Sequence, residues 1–476
     1  MSQTTWPVNY PSMLFNSLVF LFLFLPITYV VFWLLRSARA RYVWLALTGY
    51  VFYGYWDPRF CLLMAFSTCV SYFAGLGFLR WSDPRARRIL LVVPIVVDLS
   101  LLGFFKYVNF ALQTVQEALH LFGAASHLPH LDIVLPVGIS FYTFHTITYI
   151  VDSYRGTIRP TRNFFEFAAY VSLFSQLVAG PIVRFRQIEK DLEELGQADR
   201  TRWLAKGISF FLVGMVEKVI VADSIAHVID PALDQYATLG SAGAWMVMLG
   251  YTFQLYFDFC GYSDMAVGLG YMFGLRIPQN FNSPYKALDP SDFWRRWHIS
   301  LSTCLRDYLY IPLGGNRRGE LRTYVNLMIT MLLGGLWHGA NWTFVIWGAY
   351  HGLLLALYKM TARWWDRLPA VLRQGLMFLL VVIGWVFFRA TDLPMAAGLL
   401  RTMFTPTAGL PVASAGLLTV LLIVASYWAL VGPNAFDLAP RLRWKPRYAM
   451  YLAAAFGACL AMIASGQNTP FLYFQF

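Results

Sequence analysis

A histidine inside an apolar run is the strongest candidate for chemistry in this sequence. His338 lies in MLLGGLWHGANWTFVIWGAYHG, residues 331–352. Burial disfavours the charged imidazolium, so a histidine in such a run should be neutral near pH 7 and able to take a proton from a hydroxyl group. We therefore predict that His338 is a catalytic general base. The alternative is a histidine that only hydrogen-bonds a neighbouring helix.

The residues around His338 are expected to shape that site. Asn341 follows at i+3, where it could orient the ring or a bound carbonyl group, and Trp337 is a predicted substrate contact. The glycines of LLGGLWHG would let a substrate or another helix approach the backbone closely. If the run forms one straight helix, His351 lies about 220° around the axis from His338 and faces elsewhere.

A second histidine lies in residues 280–322, a segment that is rich in aromatic and basic residues and too polar to span a membrane. Pro290, with Ser291 or Asp292 as N-cap, predicts the start of a helix. An apolar stripe on this helix opposes a basic and polar face, which is typical of an interfacial helix. His298 falls at the edge of the stripe, between dry and wet surroundings. The stripe consists of Trp294, Trp297, Leu301, Leu305 and Tyr308.

Several charged and polar side chains are candidate binding groups. Arg295 and Arg296 are predicted first to pair locally with Asp292, and second to bind a phosphate-bearing donor. Gln254 and Asp258 share a helix face in an apolar segment, where a charged group costs about 2.5 to 3.5 kcal/mol and usually faces a cavity. We predict that both contact substrate, with packing or tunnel lining as the alternative. Other ionisable groups in apolar segments are His145, Glu217, Lys218 and Asp264.

Composition places these residues in an all-α integral membrane protein. The chain has 476 residues, of which 58% are hydrophobic and 13% charged, whereas soluble domains carry about 25% charged residues. Its mean hydropathy is +0.53. We expect one membrane domain, residues 1–476, with about ten to twelve spans. The apolar stretches are 14–35, 42–56, 60–79, 89–107, 133–151, 164–183, 203–228, 243–275, 324–358, 372–388, 412–431 and 448–465.

The formal net charge of +12 comes from clusters of Lys and Arg between the apolar stretches. Such clusters orient membrane proteins, so the basic balance does not indicate nucleic-acid binding. The groups Arg36 to Arg41, Arg80 to Arg88 and Arg155 to Arg162 should be cytoplasmic, which places the N-terminus outside. The five cysteines form no CxxC pattern, and we expect neither a disulfide framework nor a metal site.

Ordered strings along the chain resemble the membrane-bound O-acyltransferase (MBOAT) family, and in particular the membrane subunit of bacterial alginate O-acetyltransferases. The similarity covers almost the whole chain, so it is far more specific than a lone WHG. The strings are LVAGPIVRF at 177–185, YFDFCGYSDMAVG at 256–268, NFNSPY at 280–285, SDFWRRWHISLSTCLRDYLYIPLGGNRRG at 291–319 and LLGGLWHGANWTFVIWGAYHG at 332–352.

The resemblance implies a fold of many tilted helices around a central tunnel, with interfacial or re-entrant helices. His338 matches the signature histidine of the family and His298 its second polar position, while Asn280 is a further predicted substrate contact. The implied reaction takes an acetyl group from a cytoplasmic thioester, acetyl-CoA or another acyl thioester, with no bound cofactor. The implied partners are membrane lipids, an extracytoplasmic protein of the SGNH-hydrolase type and a cell-envelope polysaccharide at the bacterial inner membrane.

The C-terminal tail, residues 466–476, ends in FLYFQF. It resembles the Phe-x-Tyr-x-x-Phe tail of related systems, in which the tyrosine hydroxyl is thought to carry the acyl group. Tyr473 is therefore the predicted acyl carrier. An aromatic anchor at the membrane interface is the alternative for this residue.

The residues and the resemblance together indicate O-acetylation of an extracytoplasmic polysaccharide, with alginate as the expected acceptor. Peptidoglycan or cellulose could be the acceptor instead. A polysaccharide exporter or flippase would need a wide polar path, and the few charges in the apolar stretches argue against it. A glycosyltransferase that uses a lipid-linked sugar would normally carry acidic metal-binding motifs, which the sequence does not show.

Overall fold

The computed structural model describes residues 13–124, 127–178, 180–197, 199–439, 441, 445–466 and 469–472. Every named element in these residues is helical, which confirms the predicted all-α class. The first helices are α1 Leu25–Leu34, α2 Ala38–Gly54, α3 Arg59–Arg80, α4 Pro84–Leu102, α5 Val108–Leu121, α6 Ile139–Arg155, α7 Phe164–Val171, α8 Phe174–Leu177, α9 Phe185–Glu193 and α10 Arg200–Met215.

The remaining α-helices follow in chain order, and wider π-helical turns interrupt the pattern at four places. These helices are α11 Asp223–Asp234, α12 Ser241–Met272, α13 Pro290–Arg296, α14 Ile299–Leu305, α15 Glu320–His338, α16 Trp342–Trp365, α17 Ala370–Arg389, α18 Leu393–Phe404, α19 Ala415–Leu430, α20 Ala435–Leu438 and α21 Pro446–Ala464. The π-helical turns are Phe20–Phe24, Gly103–Tyr107, Val216–Ala222 and Arg306–Tyr310.

Several of these helices suit a bilayer. In the described part of the chain, four helical stretches are long and apolar enough to cross a membrane, and three shorter apolar helices accompany them. The polytopic membrane class is thus confirmed, while the number of spans stays a prediction. The four long stretches are Arg59–Arg80, Pro84–Leu121, Ala370–Arg389 and Pro446–Ala464, and the shorter ones are Phe20–Leu34, Leu393–Phe404 and Ala415–Leu430.

One apolar stretch does not form a continuous helix. The described residues of 164–183 include α7 and α8, which have 8 and 4 residues. At 1.5 Å per residue, α7 is about 12 Å long, less than half of the ~30 Å hydrocarbon core. The long stretch 324–358, by contrast, holds two helices, as its length allowed.

The helices fall into two compact units, and a buried carboxylate links three helices of the first, which comprises Met1–Gly207 and Leu269–Pro278. Asp98 on α4 accepts hydrogen bonds of 2.6 Å from Ser67 Oγ on α3 and of 2.6 Å from Thr146 Oγ1 on α6. A buried carboxylate is costly unless donors satisfy it. The contact therefore specifies how α3, α4 and α6 pack together.

The second unit comprises Ile208–Gly268 and Gln279–Phe476, and glycines bring its helices α15 and α16 into backbone contact. A Cβ on Gly335 would lie 2.2 Å from the carbonyl oxygen of Phe344, and one on Gly348 would lie 2.4 Å from that of Met331. The predicted close approach at the glycines of LLGGLWHG is confirmed at Gly335. This contact fixes the end of α15, where His338 lies.

Replacing Gly335 with alanine should push these two helices apart. Because the new methyl group meets backbone rather than a flexible side chain, we expect Gly335→Ala to lower the free energy of unfolding by about 1–3 kcal/mol. Tryptophan fluorescence during chemical unfolding in detergent would measure the change. Gly375→Ala on α17 is the matched control, since nothing lies within 4 Å of its added Cβ. Equal stability of the two variants would contradict the packing argument.

Candidate active site

The last residue of α15 places an imidazole among aromatic rings. His338 is 4% exposed, and its ring centroid lies 5.0 Å from that of Trp337, 5.0 Å from that of Trp347 and 5.2 Å from that of Phe388. The ring of His298 lies 6.3 Å away. The structure thus brings together the two histidines that the sequence analysis selected, within one aromatic enclosure.

The chain leaves the helix immediately after His338, so His338 and Asn341 are not on one continuous helix. Gly339 is extended, with φ −159° and ψ 148°, and Asn341 is the N-cap of α16. Asn341 Oδ1 accepts a hydrogen bond of 3.0 Å from the N–H of Thr343, and Nδ2 donates one of 2.8 Å to the carbonyl oxygen of Thr391. Its amide therefore fixes the turn between the helices.

This break also changes the position of His351. A straight helix would have turned His351 away from His338, but both rings pack against Trp347, at 4.9 Å and 5.0 Å between centroids. The expectation that His351 faces elsewhere is wrong, because the turn at Gly339 resets the helical phase. His351 is 1% exposed and stacks on Phe293 at 5.9 Å.

The predicted interfacial helix around His298 is divided into two helices, α13 and α14. The N-cap of α13 is Asp289, the residue directly before Pro290, and not Ser291 or Asp292 as predicted. Asp289 Oδ1 accepts a hydrogen bond of 2.7 Å from the N–H of Asp292. His298 separates α13 from α14 with φ 43°, in the left-handed region that few side chains adopt. The turn carries the imidazole inward, where it is fully buried.

Asn280 holds this imidazole in one tautomer. Its Oδ1 accepts hydrogen bonds from the N–H and the hydroxyl of Ser300, at 3.2 Å and 2.8 Å. A backbone N–H can only donate, so this atom is the amide oxygen, and Nδ2 donates to Ser263 Oγ at 3.1 Å. In the 3.1 Å hydrogen bond between His298 Nδ1 and Asn280 Oδ1, Nδ1 is therefore the protonated donor. The lone pair of the neutral ring is on Nε2.

Burial also keeps His298 uncharged. It lies outside the predicted spans, and loss of hydration lowers the pKa of its imidazole to about 3. At pH 7 the ring is neutral and can accept a proton or a hydrogen bond at Nε2. Phe259 faces it edge-on at 4.8 Å, and Trp337 contacts both His298, at 5.9 Å, and His338.

The arginines of α13 pair as the sequence predicted. Arg296 Nε lies 3.0 Å from Asp292 Oδ2, and the guanidinium of Arg295 lies 3.8 Å from Asp292 Oδ1. The side chain of Arg295 is 68% exposed. Arg295 thus keeps most of its surface available to an anion, whereas Arg296 also donates to the carbonyl oxygen of Asn282 at 3.3 Å.

The two predicted substrate contacts of α12 have different surroundings. Gln254 is 3% exposed, and its Oε1 accepts no hydrogen bond within the described ranges. Asp258 is 2% exposed, but its Oδ1 pairs with Lys218 at 2.5 Å and its Oδ2 accepts a hydrogen bond of 3.0 Å from the N–H of Leu472. Lys218 is visible in the sequence as an ionisable group in an apolar segment, but no local pattern indicates that it pairs with Asp258 or that Leu472 binds Asp258.

The acyl-carrier candidate Tyr473 lies outside the described residues. The residues before it do belong to the structure: Phe471 stacks on Tyr262 at 4.6 Å and contacts Phe259 at 5.9 Å. Phe259 is also the ring that faces His298. The described part of the tail therefore packs against the same aromatic ring as His298.

Three potential metal ligands also lie near one another in the second unit. Atoms of Glu217, Cys260 and Asp264 lie within 4.8 Å of one another, and all three residues are buried. Two carboxylates in such surroundings need a cation or a shared proton to offset their charge. The absence of a metal site remains a prediction.

Comparisons with known proteins place the two histidines in a family context. A model described as MBOAT, membrane-bound O-acyltransferase family, matches residues 154–389. The chain is 47% identical over 397 residues to a probable alginate O-acetylase of Pseudomonas aeruginosa, covering 83% of this chain and 75% of the relative. It is 42% identical over 498 residues to a probable alginate O-acetylase of Pseudomonas putida, covering 98% and 100%. It is 38% identical over 424 residues to a peptidoglycan O-acetyltransferase of Helicobacter pylori, covering 82% and 80%.

Removing the Asn280 amide should destabilise the site, because the donors on His298 and Ser300 lose their acceptor. Each buried donor left without a partner costs about 1–3 kcal/mol. We expect Asn280→Ala to lower the free energy of unfolding by at least the lower end of that range, as measured by chemical unfolding in detergent. Gln113→Ala, at an exposed amide on α5, should change it by less than about 0.5 kcal/mol. A fully stable Asn280→Ala protein would refute the assigned tautomer contact.

Proposed function

The chain belongs to the membrane-bound O-acyltransferase family, and on that basis we propose that it moves an acetyl group from a cytoplasmic acyl thioester to an extracytoplasmic polysaccharide. The observation that carries the proposal is the pair of buried imidazoles, His298 and His338, whose ring centroids are 6.3 Å apart. Residues 298 and 338 both lie in the range matched by the family model. Two buried imidazoles, of which that of His298 is neutral at pH 7, suit proton transfer from a hydroxyl group.

The proposed step joins an acetyl group to a hydroxyl. The tyrosine oxygen of Tyr473 attacks the thioester carbonyl while His338 takes the phenolic proton. Collapse of the tetrahedral intermediate breaks the carbon–sulfur bond, and the proton passes from the imidazolium to the leaving thiolate. The products are an acetyl-tyrosine ester and a free thiol. General base catalysis of this kind contributes about 10² to 10⁴ in rate.

His298 has a supporting role in this scheme. Its Nδ1–H is held by Asn280, so Nε2 is the atom that can accept a hydrogen bond from the reacting groups. Asn280 is then a positioning residue for His298. The family's central tunnel would supply the path by which both substrates reach the imidazoles.

Charge supports the proposed donor. Arg295 and Arg296 on α13 are basic, and the exposed guanidinium of Arg295 can pair with a phosphate group. Acetyl-CoA, a thioester with an anionic nucleotide part, has the chemistry that such a site favours. Gln254, with its buried acceptor, is the remaining proposed substrate contact on α12.

Alginate is the acceptor that we favour, because two of the relatives above are named as probable alginate O-acetylases. Peptidoglycan is the second candidate acceptor, because the relative from Helicobacter pylori is named a peptidoglycan O-acetyltransferase. A polysaccharide composition analysis after deletion of the gene would separate these acceptors. Loss of O-acetyl groups from alginate alone is the expected result, and loss from peptidoglycan alone would overturn the choice.

The proposed location is the bacterial inner membrane, with the N-terminus outside and the basic clusters in the cytoplasm. This orientation puts the donor side of the enzyme next to the cytoplasmic thioester pool. An extracytoplasmic protein of the SGNH-hydrolase type would then take the acetyl group from the tyrosine ester and attach it to the polymer.

Substitution of His338 tests the general base directly. In proteoliposomes supplied with isotope-labelled acetyl-CoA, His338→Ala should lower the rate of acetyl-tyrosine formation by about a hundredfold or more. His127→Ala, an exposed histidine of the first unit, is the matched control and should keep the parental rate. The proposal fails if a correctly folded His338→Ala protein transfers acetyl groups at that rate.

Substitution of Tyr473 tests the carrier separately. Tyr473→Phe keeps the ring and removes only the hydroxyl, so the labelled acetyl group should be absent from the C-terminal peptide in a mass spectrum, and overall transfer should stop. Tyr451→Phe, on the exposed face of α21, should leave both readouts unchanged. If Tyr473→Phe retains full transfer, the residue is an interface anchor and another group carries the acetyl.

A further inference from the structure

A buried group of three ionic side chains in the second unit has no part in the proposed chemistry. Lys218 Nζ lies 2.7 Å from Asp223 Oδ1 and 2.5 Å from Asp258 Oδ1. All three side chains are at most 2% exposed. One lysine and two aspartates leave one negative charge in excess, in surroundings where an unpaired charge is strongly disfavoured.

The C-terminal tail supplies the contacts that satisfy this group. The Leu472 N–H donates to Asp258 Oδ2 at 3.0 Å, and the Thr469 hydroxyl donates to Asp223 Oδ1 at 2.5 Å. The Thr469 carbonyl oxygen accepts a hydrogen bond of 3.2 Å from Lys218 Nζ. Each of the three ionic residues therefore touches the tail.

These contacts make the tail and the ionic group depend on each other. A buried ion pair is favourable only when further hydrogen bonds satisfy its remaining lone pairs and protons. Without Thr469 and Leu472, Asp223 and Asp258 would each lose a donor inside the protein. The tail in turn is held by residues far away in sequence. Thr469 and Asp223 are 246 positions apart, and Leu472 and Asp258 are 214 positions apart.

The anchored segment ends beside the candidate active site. Phe471 stacks on Tyr262 at 4.6 Å and contacts Phe259, whose ring lies 4.8 Å from that of His298. Leu472 is held at its backbone N–H, and Tyr473 is the next residue.

We infer that Lys218, Asp223 and Asp258 form a clamp that holds residues 469–472 and thereby positions the tail for acyl transfer. The three are positioning residues, since none of them touches the reacting atoms. The inference rests on the proposed function in that Tyr473 is taken as the acyl carrier. The clamp itself is a set of contacts that can be tested without activity.

Digestion with carboxypeptidase A measures the clamp. The enzyme removes aromatic and aliphatic residues from a free C-terminus, and intact mass reports where it stops. In the parent protein, digestion should leave Leu472 in place, because its backbone N–H is bound to Asp258. In Asp258→Asn and Thr469→Val, which replace an acceptor oxygen of the clamp by an amide group and remove a clamp hydroxyl, Leu472 should also be removed. Pro470 then stops digestion in every protein. Thr419→Val on α19, an exposed threonine, is the matched control, and Thr469→Ser should restore protection.

Kinetics test positioning in the same proteins. A misplaced carrier should lower kcat for acetyl transfer by about ten- to a hundredfold while the KM for acetyl-CoA is unchanged. Thr469→Ser should restore kcat, which a general loss of folding would not allow. A tail that stays protected in both variants overturns the clamp. A released tail with unchanged kcat overturns its positioning role.

These experiments distinguish a failure of the clamp from a failure of the proposed tyrosine carrier. If the variants release the tail but Tyr473→Phe transfers acetyl groups normally, the tyrosine carrier is wrong and the clamp stands as an anchor. If Tyr473→Phe is inactive but Asp258→Asn keeps both protection and rate, the carrier stands and the clamp is wrong. Thr469→Val alters only a side chain of the tail, so it remains a test if Asp258→Asn does not fold.

Discussion

The free-energy cost of burying a charged group away from water limits which side chains this protein can place in its interior. An ionisable side chain there must be neutral, paired or satisfied by donors. His298 meets this constraint as a neutral ring, Lys218 meets it through two carboxylates, and Asp98 through two hydroxyl donors. The neutral ring of His298 and the ionic anchor of the tail thus meet the same physical constraint in different ways.

The helical class and the pair of histidines could be predicted from sequence because each leaves a local signal. Apolar stretches indicate the membrane helices, and the residues that flank His298 and His338 indicate the family. The path of the chain through the site leaves a weaker signal. The apolar periodicity continues through Gly339 and through His298, yet the backbone turns at both residues. A helical wheel extrapolated across either turn gives the wrong face.

Contacts between distant residues explain the remaining differences. Asn280 and Asp258 are both predicted substrate contacts, Asp258 because a charged group in an apolar segment usually faces a cavity. In the structure Asn280 holds His298, 18 positions away, and Asp258 holds Leu472, 214 positions away, while their contact with substrate stays a prediction. Asn341 caps a helix and reaches Thr391 across 50 positions. No local pattern encodes such partners, because the fold brings them together.

The glycine contact between α15 and α16 sets the position of His338 independently of the size of the side chains around it. Since Gly335 and Gly348 meet backbone carbonyls directly, the spacing of the two helices is set by main-chain atoms and is insensitive to the volume of nearby side chains. The aromatic residues around His338 can therefore change in size while the imidazole keeps its coordinates. Such an arrangement would allow a scaffold to evolve toward acyl chains of other lengths without rebuilding the proposed proton-transfer centre.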